Sequence, residues 1–423
     1  MRVLAALAVL MAVGQGAAAQ DLVLDNARIV VGTGAVIDNG TIVVQNGRLS
    51  SVSTEPAPPG LAPHFDVEGM TVIPGMIDAH VHFTLPVTTS VPDSMLAQAA
   101  ETMEAYVSAG VTTAFDNAGH LPTLIRARTL IESGDLRGPR LMIVGAIVGP
   151  GSHPVSTVCR LRPQGCADGS VVEVDDPDVA RAEVRRFAAL GVDMIKSIYE
   201  ATPTPESRIK DDVLAAVAQE AEAQGLPLVV HALQGADALR GVELGAEKLA
   251  HAPLSPVRQP VDIVEIAERL TGASVPFVTT SHLFAPIVNG LGEFRGHRAG
   301  MTVPYGPEDM ALHIEYMTRM RRIFDSGVLV VFGTDGFETD EFYHELQTLR
   351  RVFSPSEILG MLTRDAAAYL GLEDQVGTLE AGKLADLAVI DGDPLADVSE
   401  LHNVSMVIKG GRVIVDRRSG AGL

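Results

Sequence analysis

Tryptophan is absent from this chain of 423 residues, aromatics amount to 4% of it, and there are two cysteines. Positive charge is also scarce. Against 53 acidic residues stand 32 basic ones, for a formal net charge of -21, and no Lys- or Arg-rich stretch interrupts that balance. A surface of that sign disfavours nucleic acid and anionic membranes as partners and reads as a solvated, soluble one. No low-complexity tract occurs, and P-loop, Rossmann and serine-nucleophile motifs are missing. The apolar run from Val3 to Val13 is too short to span a bilayer as a retained helix, and no second candidate follows it, so no membrane anchor is expected.

With 47% hydrophobic residues, 41 Gly and 25 Pro, the chain reads as a globular protein rich in short turns. Met1-Arg2, the Val3 to Val13 run and Ala17-Ala18-Ala19 have the order of a secretory signal peptide, cut after Ala19, so the expected mature protein is periplasmic or secreted. Export bears on Cys159 and Cys166. They lie close together in a segment with Pro163 and Gly165, in a compartment where disulfides persist, and a local Cys159–Cys166 disulfide is expected over free thiols.

The length suits a barrel of about 250 residues with a smaller companion. From Asp21 to Val67, short apolar runs are broken by Asn39-Gly40 and Asn46-Gly47, the signature of strands and hairpins. Ala385 to Ile390 and Met406 to Val415 repeat that texture, and two small terminal β segments most economically pair with each other. Between them, short apolar strands alternate with helix-length segments such as Asp176 to Leu190 and Lys210 to Gln224. Eight candidate strands lie near Val72–His82, Thr112–Asn117, Arg140–Ala146, Met194–Ile198, Pro227–His231, Lys248–His251, Pro276–Ser281 and Leu329–Asp335. The expected fold is therefore α/β: a TIM-like (β/α) barrel over residues 72–370, with a small β-sandwich domain assembled from 20–71 and 371–423.

His80-Val81-His82 closes the first strand. In an extended chain residues i and i+2 point the same way, so both imidazoles can reach one cation of the Zn or Mn kind. Lys196 lies in the fourth strand, His231 and His251 end the fifth and sixth, and Asp335 ends the eighth, so all six fall on the C-terminal rim where such barrels carry their chemistry. His153, Tyr199 and His282 follow the third, fourth and seventh strands and are candidates to face a substrate. The Gly- and Pro-rich segment from Leu283 to Pro307 is long for a βα loop and is a candidate lid.

The runs Val72-Ile73-Pro74-Gly75-Met76-Ile77-Asp78-Ala79-His80-Val81-His82, Gly110-Val111-Thr112-Thr113, Gly333-Thr334-Asp335 and Gly377-Thr378-Leu379-Glu380-Ala381-Gly382-Lys383-Leu384-Ala385-Asp386-Leu387 resemble those of the amidohydrolase superfamily across nearly the whole mature sequence. The resemblance implies two divalent metal ions, taken as Zn. His80, His82 and Asp335 would hold one, His231 and His251 the other, and Lys196 would bridge them as a carbamate formed with CO2. It also implies a metal-bridging hydroxide as nucleophile, with Asp335 as the catalytic proton carrier.

The pattern is most similar to the dipeptidase-like and imidazolonepropionase-like members. It implies hydrolysis of an amide bond in a small molecule, such as an Xaa-Pro-like dipeptide or an N-acyl amino acid. In many dipeptidase-like members a Tyr two positions after the fifth-strand His helps to hold a substrate carboxylate; here that position is Leu233. Deaminases of the superfamily generally place a Glu just after that His and lack the Lys, whereas here Ala232-Leu233-Gln234 follow His231 and Lys196 is present. A lactonase or phosphotriesterase, an imidazolonepropionase-like cyclic amide hydrolase, and a secreted metal-binding protein on the same fold are the alternatives. A homo-oligomer is left open.

Overall fold

The computed structural model describes residues 21–418 apart from 61–62, 86–89, 154, 156–158, 160–168, 202–203, 255–260, 285–286, 289–293, 299–300 and 305–306. The expected signal peptide and Cys166 lie outside the described residues. Cys159 is disulfide-bonded.

Eight parallel strands of the nine-stranded central sheet follow one another round the barrel: β1 (Met76–Val81), β2 (Val111–Asp116), β3 (Arg140–Val148), β4 (Met194–Ile198), β5 (Leu228–His231), β6 (Lys248–Leu249), β7 (Phe277–Val278) and β8 (Val330–Val331), while Val171–Glu173 pairs with β3 beside them. The eight neighbour one another in chain order, and the chain just past β8 returns to β1, with Gly336 bridging Val81. At that seam the Ala79 N–H donates to the Phe332 carbonyl at 3.0 Å and the His82 N–H to the Gly336 carbonyl at 2.8 Å. The sheet thus closes into a TIM-like barrel. Helices follow each strand on the outside, among them α1 (Pro92–Ser108), α2 (Leu121–Ser133), α3 (Pro177–Ala189), α4 (Asp211–Ala223), α5 (Gly235–Glu243), α6 (Ile263–Ala273), α7 (Pro307–Asp325) and α8 (Thr339–Leu349). Among the described residues no helix is long and apolar enough to cross a membrane.

The helices start where the chain chemistry says they should. Asp176 accepts from the Asp178 and Val179 amides ahead of Pro177, and Asp262 accepts from the Val264 amide, so each caps otherwise unpaired N–H groups. Inside the barrel, Ile77, Phe115, Met142, Val229 and Val331 pack on one another and on the helix Arg364–Leu370, which presents Ala366 and Tyr369 to them. The Tyr369 hydroxyl, fully buried, donates to the Leu249 carbonyl at 3.3 Å.

The terminal strands join one eight-stranded sheet. Leu387–Ile390 pairs antiparallel with Thr71–Pro74, and the N-terminal hairpin Leu22–Val30 and Val36–Gln45 continues from there. The sheet curls until Arg48 bridges Leu384, and Leu24, Ile29 and Val44 share a core with Leu387, Val389 and Met406.

One expected strand, Val72–His82, is two. Thr71–Pro74 belongs to the terminal sheet and Met76–Val81 to the barrel, with Gly75 between them. A Cβ on Gly75 would sit 2.1 Å from Thr112 Oγ1, so only glycine lets the chain pass β2 as it changes sheets. The long segment after β7 carries a three-stranded antiparallel meander of Ile287–Val288, Phe294–Arg298 and Met301–Pro304.

Candidate metal centre

His80 and His82 leave β1 at the seam with β8, and the Asp335 N–H donates to the His80 carbonyl at 2.7 Å. Asp335 has a φ of 56°, in the left-handed region that Asp tolerates better than most residues. Just before it, a Cβ on Gly333 would meet Val278 Cγ1 at 2.4 Å and the His80 amide nitrogen at 2.9 Å. The bare backbone there is what lets the two strands approach.

Nε2 of His80 lies 3.1 Å and Nε2 of His82 2.7 Å from Asp335 Oδ1, and the two ring nitrogens are 3.3 Å apart. Nδ1 of His80 faces the Ala250 carbonyl at 2.9 Å, and Nδ1 of His82 faces the Ala118 carbonyl at 3.2 Å. A carbonyl only accepts, so each Nδ1 carries a hydrogen, and Nε2 is the nitrogen that each ring turns inward and whose lone pair serves a cation in the neutral form. Burial holds His80 down to about 4 against the pull of Asp335, so this ring is neutral near pH 7. Burial by itself would raise the Asp335 carboxyl, yet the His80 and His82 rings beside it hold it well below the usual carboxylate range. Burial would lower His82, but the Asp335 carboxylate at 2.7 Å draws it above its ordinary value, so a proton is held between them when no metal is bound. A divalent cation takes that proton's place, with two Nε2 lone pairs and an anion as its donors.

The remaining expected ligands surround this trio. The His251 ring lies 4.8 Å from that of His80 and 4.5 Å from that of His231, centroid to centroid. Its Nδ1 is 2.9 Å from Thr280 Oγ1, and burial, with His231 adjacent, holds it well below its ordinary value. His231 Nε2 lies 2.9 Å from Glu200 Oε2. Lys196, 3% exposed, donates from Nζ to Asn117 Oδ1 at 3.2 Å, and burial brings its ammonium down to about 7 despite Asp335.

The three candidate substrate contacts part ways. His153 reaches the centre, its ring 5.4 Å from that of His231, and burial lowers it to about 4. His282 is fully buried against Glu345, with Nδ1 3.4 Å from Oε2, while Glu345 accepts from the His282 and Ser281 amides. Tyr199 departs from expectation. Its ring packs in the layer between barrel and helices, its hydroxyl donates to Asp211 of α4 at 2.5 Å, and the Arg208 guanidinium lies 5.0 Å from the ring centroid. The reason is the pleat: with Lys196 inward, Ile198 and Glu200 follow on the inner face and Tyr199 on the outer.

The sequence reading missed Glu200 and Asn117, and also two buried carboxylates that hold the ligand strands. Asp78 accepts the His80 and Thr334 amides and the Thr334 hydroxyl, and burial pushes it up to about 7. Asp116 accepts the Phe83 and Ala118 amides, on either side of His82 in space, and burial pushes it up to about 6. Counting in twos from Lys196 would have found Glu200, and counting back in twos from His80 would have found Asp78.

Comparison with known proteins bears on the family and the fold. A 5-methylthioadenosine/S-adenosylhomocysteine deaminase of Symbiobacterium thermophilum is 25% identical over 448 residues, covering 93% of this chain and 93% of that protein. An imidazolonepropionase of the same organism is 24% identical, covering 90% and 91%. The crystal structure of an Xaa-Pro dipeptidase with methionine in its active site superposes with a TM-score of 0.75 at 22% identity, over 93% of this chain and 99% of that one, a likeness of fold. Residues 71–414 match the family model of the amidohydrolase family, so the chain belongs to that family and is a hydrolase of its kind.

Proposed function

We propose that the protein hydrolyses an amide bond in a small molecule, an Xaa-Pro-like dipeptide or an N-acyl amino acid, with two divalent metal ions, taken as Zn, as its cofactors. The observation that carries this is the convergence of two Nε2 lone pairs and the Asp335 carboxylate on one point. His80, His82 and Asp335 would hold one ion; His231, His251 and a carbamate on Lys196 would complete the second position. Divalent ions bound there would supply Lewis acidity and lower the pKa of water.

The chain's own residues account for the rest. Asp335, anionic at neutral pH, takes a proton from the attacking water at its carboxylate and delivers it to the leaving nitrogen. Lys196 offers a substantial fraction of free amine near pH 7, the form that adds CO2. His153, neutral and beside His231, supports a substrate contact on the β3 side. Amide hydrolysis is favoured over deamination by Ala232-Leu233-Gln234 after His231, where no Glu follows to shuttle a proton.

The test is a screen of metal-loaded protein against dipeptides and N-acyl amino acids, with lactones and cyclic amides as the competing arms, beside the Lys196→Ala variant. Hydrolysis of the first two classes, with loss of bound metal and activity in the variant, is the expected result. Near-full activity and unchanged metal content in Lys196→Ala would overturn the two-metal reading.

A further inference from the structure

We propose that Asn117 is a positioning residue which holds the Lys196 amine for its reaction with CO2, and that the turn Asp116-Asn117-Ala118 ties that event to His82. The inference rests on the carbamate reading of Lys196 given above.

Asn117 is 1% exposed and lies one residue past the end of β2. Its amide spans the barrel mouth: Nδ2 donates to the Ala79 carbonyl at 3.2 Å, and Oδ1 accepts from Lys196 Nζ at 3.2 Å. The orientation is forced. The Ala79 carbonyl can only accept, so the NH2 must face it, and the oxygen must then face Lys196. The Asn117 backbone is anchored as well, its N–H donating to the Val81 carbonyl at 3.0 Å.

The residues on either side reach the other half of the centre. Asp116 Oδ2 accepts the Phe83 amide at 2.8 Å, and its Oδ1 accepts the Ala118 amide at 3.3 Å. The Ala118 carbonyl in turn accepts from His82 Nδ1 at 3.2 Å. Ala118 has a φ of 123°, a conformation that L-residues rarely adopt and that persists where surrounding bonds hold it. Three consecutive residues, none of them in the ligand set, therefore contact the strand of His80 and His82 on one side and Lys196 on the other.

The chemistry gives this contact a purpose. The Nζ lone pair attacks the carbon of CO2, an N–C bond forms, one C=O bonding pair moves onto oxygen, and one proton leaves nitrogen for water. The product keeps a single N–H. If Asn117 Oδ1 accepts that hydrogen before and after reaction, the new carboxylate is turned away from Asn117, and the side chain has lost its rotational freedom beforehand.

The test reconstitutes metal-stripped wild type, Asn117→Asp and Asn117→Ala with zinc over a range of 13C-bicarbonate concentrations. Carbamate is read by 13C NMR and zinc per chain by elemental analysis, and thermal unfolding of the metal-free proteins shows which variants are folded. Asn117→Asp is nearly isosteric but cannot donate to Ala79 as a carboxylate; Asn117→Ala removes both bonds and serves if the Asp variant does not fold. Both variants are expected to need roughly tenfold more bicarbonate for half-maximal carbamate, about the worth of one hydrogen bond, with the second zinc lost in parallel. Variants that carbamylate at the wild-type bicarbonate concentration would overturn this proposal alone. A wild type without carbamate at any concentration would overturn the reading it rests on, and this proposal with it.

Discussion

The Glu200 carboxylate meets Nε2 of His231 at 2.9 Å, so the nitrogen of His231 left to face a cation is Nδ1. A carboxylate on the far nitrogen of a ligand imidazole fixes the ring and raises its basicity. Glu200 is buried, so this pairing is not diluted by water.

Glu200→Ala is therefore expected to weaken metal binding by about 10- to 100-fold. Glu200→Gln, which keeps a hydrogen-bonding group at that place, is expected to lose less. Competition with a chelator of known affinity measures both.

Tyr199 makes the opposite prediction. Its hydroxyl serves α4 through Asp211 and does not face the histidines. Tyr199→Phe should cost about 1 kcal/mol of stability, read by denaturant unfolding, and leave kcat/KM within about twofold of wild type. A large fall in kcat/KM with unchanged stability would return Tyr199 to the substrate site.

His153 sets an acid dependence. Burial lowers it from 6.5 to about 4, so between those values the unfolded chain binds a proton that the folded chain refuses. Stability from this group is present above about pH 6.5 and is lost as pH falls toward 4. In metal-free protein, wild type should lose about 2 kcal/mol more than His153→Gln on going from pH 7.5 to pH 5. Paired unfolding curves at the two pH values check this; equal losses would contradict it.

Much of the barrel was legible because its strands are short apolar runs set between helix-length segments, and because His80, His82, Lys196, His231, His251 and Asp335 each fall at or near a strand end. The terminal pairing was legible from Leu22 to Val44 and from Leu387 to Ile408, where neither segment could bury its own face. The change of sheets at Gly75 was not. Pro74-Gly75 is the local mark of a break, but that the chain changes sheets there depends on Thr112 crowding Gly75 from β2. Asn117 and Asp116 were also hidden, since each acts through a partner dozens of residues away and neither belongs to a spaced pair. Tyr199 was named for following the fourth strand, whereas the alternation along that strand turns its ring outward, to Asp211.

The account turns on His80, His82 and Asp335 as a cation site, and zinc bound per chain at equilibrium tests it without need of a substrate. Wild type should hold zinc through repeated dialysis, and His82→Ala with Asp335→Ala in one chain should bind it about 100-fold more weakly or worse. A double variant that keeps the wild-type zinc content and affinity would contradict the account.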